Sequence, residues 1–181
     1  MIERLDPAQY RRTPWKNGAG TTTTIAEQSG VWQFGRTPIA AAGPFSDYTG
    51  FDRLQVLVVG RGLVLETPDG EIDVRVPFRP VRFTGETRIV SKLEAGPVEV
   101  VNLIGARAKV SLDLVVLTNG QTRALQPGIH IAYCADGAAE LDVAGKSLAV
   151  AADHGLRIEP TGSTMLACRS GRVVLASVIK V

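Results

Sequence analysis

The stretch Asp69-Gly70-Glu71-Ile72-Asp73-Val74-Arg75-Val76 alternates polar and apolar residues without a break. Ile72, Val74 and Val76 then share one face of an extended strand, and Glu71, Asp73 and Arg75 share the other. No window of fifteen residues sustains a 3.6-residue period, so the chain cannot build its core from amphipathic helices. The one helix candidate is a single turn at 6–10, with Asp6 as cap and Pro7 at the first helical position. The chain must therefore be all-β.

Strand signals recur along all 181 residues. The runs 53–60 and 62–68 flank Gly60-Arg61-Gly62, a hairpin signal, and 86–105 reads as two strands around Ala95-Gly96-Pro97. Landmarks of the first half return about seventy-five residues later. Residues 59–66 match 135–142 in pattern, and 96–103 match 171–178. Two halves of short, closely spaced strands predict two antiparallel β-barrels (jelly rolls) side by side. The expected division is 1–106, a first barrel with the N-terminal segment, and 107–181, linking strands and a second barrel. The longest apolar runs fall far short of the ~20 residues of a membrane helix. The charged N-terminus lacks the apolar core of a signal peptide. Arginines are scattered and the formal net charge is only +2, so neither nucleic acid nor membrane is an expected partner. Cys134 and Cys168 form no C-x-x-C pair and read as buried free thiols of a cytoplasmic protein.

Residues 15–24 read Trp-Lys-Asn-Gly-Ala-Gly and then four threonines. The lysine precedes the glycines and no helix pattern follows, so this is no phosphate loop. Asn17, Gly18 and Gly20 suit a tight turn, and the threonines suit a strand. Residues 43–53 bring together Phe45, Tyr48 and Phe51 with Ser46, Asp52 and Arg53. These stretches resemble the HutD/Ves family of cupin-like bacterial proteins. Residues 15–22 resemble its W-x-N-G-G-G-x-T opening, 43–53 its G-P-F-S-x-F-P-G-x-D-R, and 96–107 its G-P-V-x-D-x-N-x-M-x-R. Ala19 stands for a family glycine, Thr49 for a proline, and Val101 or Glu99 for an Asp. Gln33 and Gly35 stand for the Arg and Ser of W-R-x-S.

The resemblance implies a bicupin-like architecture and a link to histidine degradation, whose anionic intermediates include urocanate and formylated or formiminated glutamates. It also implies that the 15–20 segment lines the first-barrel pocket. The expected ligand-binding residues are Trp15, Asn17, Phe45, Tyr48 and Arg53, all in the first half. Arg53 could grip a carboxylate through two parallel hydrogen bonds. A metal-binding cupin converges several histidines and a carboxylate. This chain has only His130 and His154, both in the second half, which read as a strand histidine near a barrel surface and a turn residue. No metal, cofactor or catalytic set is assigned, and no G-x-S-x-G elbow occurs. The expected function is that of a non-catalytic, regulatory small-ligand-binding protein of histidine and urocanate degradation that binds a small carboxylate such as urocanate or formylglutamate in the first barrel; a homodimer is compatible with it. The alternative is a metal-free enzyme on a small organic acid, drawing on Tyr48, Asp52 and Glu99. A partner-binding module without an enclosed pocket is a third reading.

Overall fold

The computed structural model describes residues 1–14 and 20–181 and divides into two units, Tyr10–Leu112 and Met1–Gln9 with Asp113–Val181. The pairings are antiparallel. These bounds differ from 1–106 and 107–181 chiefly at the N-terminus, because Ile2–Leu5 pairs with residues 155–158.

The Tyr10–Leu112 unit holds β2 (Arg11–Pro14), β3 (Thr21–Gln28), β4 (Trp32–Ile39), β5 (Gly43–Pro44) and β6 (Phe51–Val59). It continues with β7 (Leu63–Thr67), β8 (Gly70–Val74), β9 (Val81–Thr84), β10 (Val90–Leu93) and β11 (Val98–Ala106). One sheet runs β2-β3-β4-β11-β6-β9 and the other β5-β10-β7-β8. Leu57, Leu63, Leu65, Val74, Phe83 and Val100 form their common core. β7 and β8 make the hairpin that Asp69-Gly70 announces, with Leu65 opposite Ile72 and Leu63 opposite Val74. The Gly60–Gly62 hairpin does not form. β6 pairs with β11 and β9, whereas β7 pairs with β10 and β8, so these glycines carry the chain from one sheet to the other. Gly60, at φ 83°, lies so close to Pro97 that an added Cβ would stand 2.8 Å from its carbonyl oxygen.

The other unit holds β1 (Ile2–Leu5), β12 (Val110–Thr118) from Asp113 onward, β13 (Thr122–Leu125), β14 (Ile129–Tyr133) and β15 (Ala138–Val143). β16 (Lys146–Ala151), β17 (Gly155–Ile158), β18 (Thr164–Ser170) and β19 (Arg172–Lys180) complete it. Its sheets run β1-β17-β14-β19-β12 and β13-β18-β15-β16. The order β12-β19-β14-β17 repeats β4-β11-β6-β9, and β13-β18-β15-β16 repeats β5-β10-β7-β8. The seventy-five-residue pattern in the sequence thus corresponds to a repeated strand order. The sheets are open. Each order ends on edge strands, so the expected closure of every edge into a barrel is not what the hydrogen bonding shows. Cys134 and Cys168 are free and buried in the core with Leu141, Leu156, Leu166 and Leu175. The turn at Asp6 is a single 3₁₀ turn, Pro7–Gln9, with Asp6 Oδ1 accepting from the Ala8 N–H at 2.8 Å.

His130 is 2% exposed, not near a surface. Its position is tolerable because both ring nitrogens are satisfied. Nε2 lies 2.8 Å from the Gln126 carbonyl, which can only accept, so Nε2 carries the proton and Nδ1 accepts from the Ser177 hydroxyl at 2.8 Å. Burial holds the imidazole pKa below its ordinary value of 6.5, against an opposing effect of the Gln126 bond. The unfolded chain therefore takes up a proton first as pH falls below about 6.5, and stability declines from there toward the folded-state value. Urea denaturation at pH 7.5 and 5.5 should show lower stability at the acid end. His130→Gln should flatten that difference; an equal pH effect in both proteins would refute the assignment.

Candidate functional site

The inner face of the six-stranded sheet carries polar residues where a core would be apolar. Alternation places Gln33, Gly35, Thr37 and Ile39 of β4 on one face, with Val100, Asn102 and Ile104 of β11 and Arg53 and Gln55 of β6. The register makes rows of them. Ile104 lies opposite Gln33 and Arg53, and Asn102 lies opposite Gly35 and Gln55. With residues of β2, Thr22 and the 44–48 loop they line a cavity of about 740 Å³, in the range of small-molecule sites. Gly35 is needed here. An added Cβ would stand 2.8 Å from the Thr23 carbonyl oxygen, so β3 approaches too closely for a side chain. Gln33 Nε2 donates to Thr24 Oγ1 at 2.7 Å, and Gln55 Nε2 donates to Asn102 Oδ1 at 2.9 Å. Gln55 Oε1 is buried and has no partner among the described residues.

Arg53 is the buried cation of this cavity, only 7% exposed. Its Cζ lies 5.1 Å from the ring centroids of Phe45, Tyr48 and Phe83, a three-sided aromatic cage that attracts the charge. Among the described residues its only hydrogen bond is a long one, Nη1 to the Ser46 carbonyl at 3.4 Å, and its Nε has no partner. Desolvation pushes its pKa down to about 10, partly offset by the electrostatic effect of Tyr48. It remains charged at neutral pH, buried without a carboxylate among the described residues. An anion entering the cavity would supply what the fold leaves out.

The loop that presents Phe45 and Tyr48 is tied down behind the cavity. Arg107 donates to Asp52 at 2.7 Å and to Glu86 at 3.0 Å, and Glu86 Oε1 accepts from the Gly50 N–H at 2.8 Å. Arg82 reaches Asp52 at 3.3 Å and also donates to the Leu112 carbonyl. Asp47 Oδ1 takes the N–H and hydroxyl of Thr49, the turn expected of an Asp there. The Arg107 hydrogen bonds, then the Gly50 N–H, hold the Glu86 carboxyl down to about 2 from its ordinary 4.5. The anchoring is therefore complete above the ordinary value and is lost as pH falls through about 2. Carboxyl NMR should find a Glu86 midpoint near 2. A midpoint at the ordinary glutamate value would mean the loop is not held this way.

Phe45, Tyr48 and Arg53 are brought together as the sequence suggested, with Tyr48 37% exposed at the rim. Trp15 and Asn17 lie outside the described residues. Asp52 and Glu99 do not line the cavity. Asp52 binds Arg82 and Arg107, and Glu99 binds Arg36 at 2.5 Å. Arg53 is thus not paired with Asp52. Sequence reading missed Phe83, Gln55 and Asn102. The signal for the last two was a lone amide inside each apolar run, Gln55 in 54–59 and Asn102 in 98–104.

These antiparallel sheets around a lined cavity define a cupin-like all-β protein. A cupin 2 conserved barrel domain protein from Leptotrichia buccalis superposes with a TM-score of 0.55 at 12% identity, covering 88% of each chain. The chain belongs to the HutD family, whose profile matches residues 7–176. An uncharacterized 21.2 kDa protein of the hutC 3′ region of Pseudomonas putida is 31% identical over 112 residues. That match spans 59% of this chain and 59% of the relative. Two solved structures match over the full length of both chains at 22% identity. They are a conserved protein of unknown function from Pseudomonas aeruginosa PAO1, TM-score 0.89, and HutD from Pseudomonas fluorescens SBW25 in a formate condition, TM-score 0.85. The family is linked to the histidine-utilisation locus. Among the described residues no three His, Cys, Asp or Glu side chains gather as a metal site. No helix there is long and apolar enough to cross a membrane.

Proposed function

We propose that the protein is a non-catalytic, regulatory binding protein of histidine and urocanate degradation that holds a small carboxylate in the Tyr10–Leu112 cavity. We take the repeated strand order as a bicupin with one working pocket. The observation that carries the reading is Arg53, a buried guanidinium in an aromatic cage with an unpartnered Nε. Leaving such a charge unpaired destabilises the empty protein, and a carboxylate relieves it. The ligand-sized cavity adds support. So does the engagement of Asp52 and Glu99 by arginines, which takes two of the three candidate acid–base groups out of the pocket.

Thermal denaturation against formate, urocanate, histidine and formylglutamate tests the reading. A ligand at a hundred times its dissociation constant adds about 2.7 kcal/mol. Stabilisation by urocanate or formylglutamate is expected; no stabilisation by any carboxylate would overturn it. Unchanged ligand recovered after long incubation separates binding from turnover.

A further inference from the structure

We propose that Gln55 selects the ligand by accepting a hydrogen bond from it, so that the cavity takes small carboxylates that also carry an N–H or O–H donor. The inference rests on the carboxylate reading above and adds a second recognition point to it. Gln55 is 1% exposed and sits on the cavity wall. Its amide is half used. Nε2 donates to Asn102 Oδ1 at 2.9 Å, which fixes the direction in which the group points, and Oε1 is buried with no partner among the described residues. A carbonyl oxygen only accepts, so whatever satisfies it must bring a hydrogen. Buried acceptors are rarely left alone, and a site that leaves one open discriminates against ligands lacking the matching donor.

Position makes the pairing with Arg53 useful. The two residues are neighbours on one face of β6, two positions apart, roughly 7 Å along the strand. Arg53 offers donors to a carboxylate, and Gln55 Oε1 offers an acceptor to a group elsewhere on the same small molecule. The row across the sheet holds the acceptor in place. Asn102 stands between Gln55 and Gly35, and the bare Gly35 adds no side chain to cover it. A simple carboxylate such as glutarate satisfies Arg53 and leaves Gln55 bare.

Matched ligands test this on the intact chain. Urocanate and 3-(2-furyl)acrylate share an acrylate and differ in the ring N–H; formylglutamate and glutarate differ in the formamide. Isothermal titration of wild type should give the N–H member of at least one pair about tenfold tighter binding or better. Gln55→Met should bring that ratio to within about twofold, since the acceptor is gone while the volume is kept. Arg53→Met should weaken both members alike. Binding of these carboxylates with a ratio near one in wild type would overturn the role of Gln55 and leave the carboxylate site standing, and this comparison needs no variant to fold. A ratio that persists in Gln55→Met would also overturn it. Failure of all four to bind would overturn the carboxylate reading and this inference with it.

Discussion

Arg53→Met is expected to weaken carboxylate binding roughly a hundredfold and leave the protein at least as stable as wild type. The combination follows from where the guanidinium lies. A carboxylate bound to it makes charge-assisted hydrogen bonds, and their loss should weaken binding by about 3 kcal/mol, or roughly a hundredfold. In the empty protein the same group has no carboxylate to answer it among the described residues, and burial presses its pKa down to about 10. Holding the charge there destabilises the fold by something on the order of 3 kcal/mol. Methionine is close in length, packs well against aromatic rings and brings no charge. The Phe45, Tyr48 and Phe83 cage should accept it without a cavity. Isothermal titration and urea denaturation on the two proteins check both halves. A variant that loses stability and binding together would mean that Arg53 holds the loop rather than a ligand.

Gly85→Ala should release that loop. Gly85 is buried, and its amide donates to the Phe51 carbonyl at 2.7 Å while its carbonyl accepts from the Tyr48 N–H at 3.0 Å. An added Cβ would stand 1.9 Å from the Tyr48 oxygen and 2.8 Å from its Cβ. The contact is with backbone, so no side-chain rotation relieves it. Tyr48 must move away, and the cage over Arg53 opens on that side. Overpacking of this kind costs about 1–3 kcal/mol, and ligand affinity should fall by at least tenfold because the wall of the site is displaced. Gly43→Ala is the matched control. An added Cβ there meets nothing within 4 Å, so stability should stay within about 0.5 kcal/mol. Equal behaviour of the two variants would contradict the close approach at Gly85.

The sequence made some of this legible and hid the rest for identifiable reasons. The alternation at 69–76 and the turn at Asp69-Gly70 sufficed for the β7–β8 hairpin, because both are local. The repeat at seventy-five residues showed as pattern and returned as strand order. The run 53–59 misled. Residues 53–58 are buried on both faces, so the run lacks a clean period and gives no hint that its partners are β9 and β11 rather than the next strand. The aromatic loop and Arg53 could be found together because they are contiguous. Phe83 joins them only through the pairing of Arg53 with β9, and Asn102 meets Gln55 across a separation of 47 residues. Such contacts are set by register, which alternation alone does not specify. Asp52 looked available beside Arg53. Successive strand residues point to opposite faces, so the same step that turns Arg53 inward turns Asp52 toward Arg82 and Arg107.

The most direct test is a crystal structure grown with formylglutamate or urocanate at saturating concentration. Ligand density is expected in the Tyr10–Leu112 cavity, with a carboxylate carbon about 4 Å from Arg53 Cζ and its oxygens on the guanidinium. Ligand seated among residues 113–181 alone, or an empty Arg53 cavity beside a fully bound protein in solution, would contradict it.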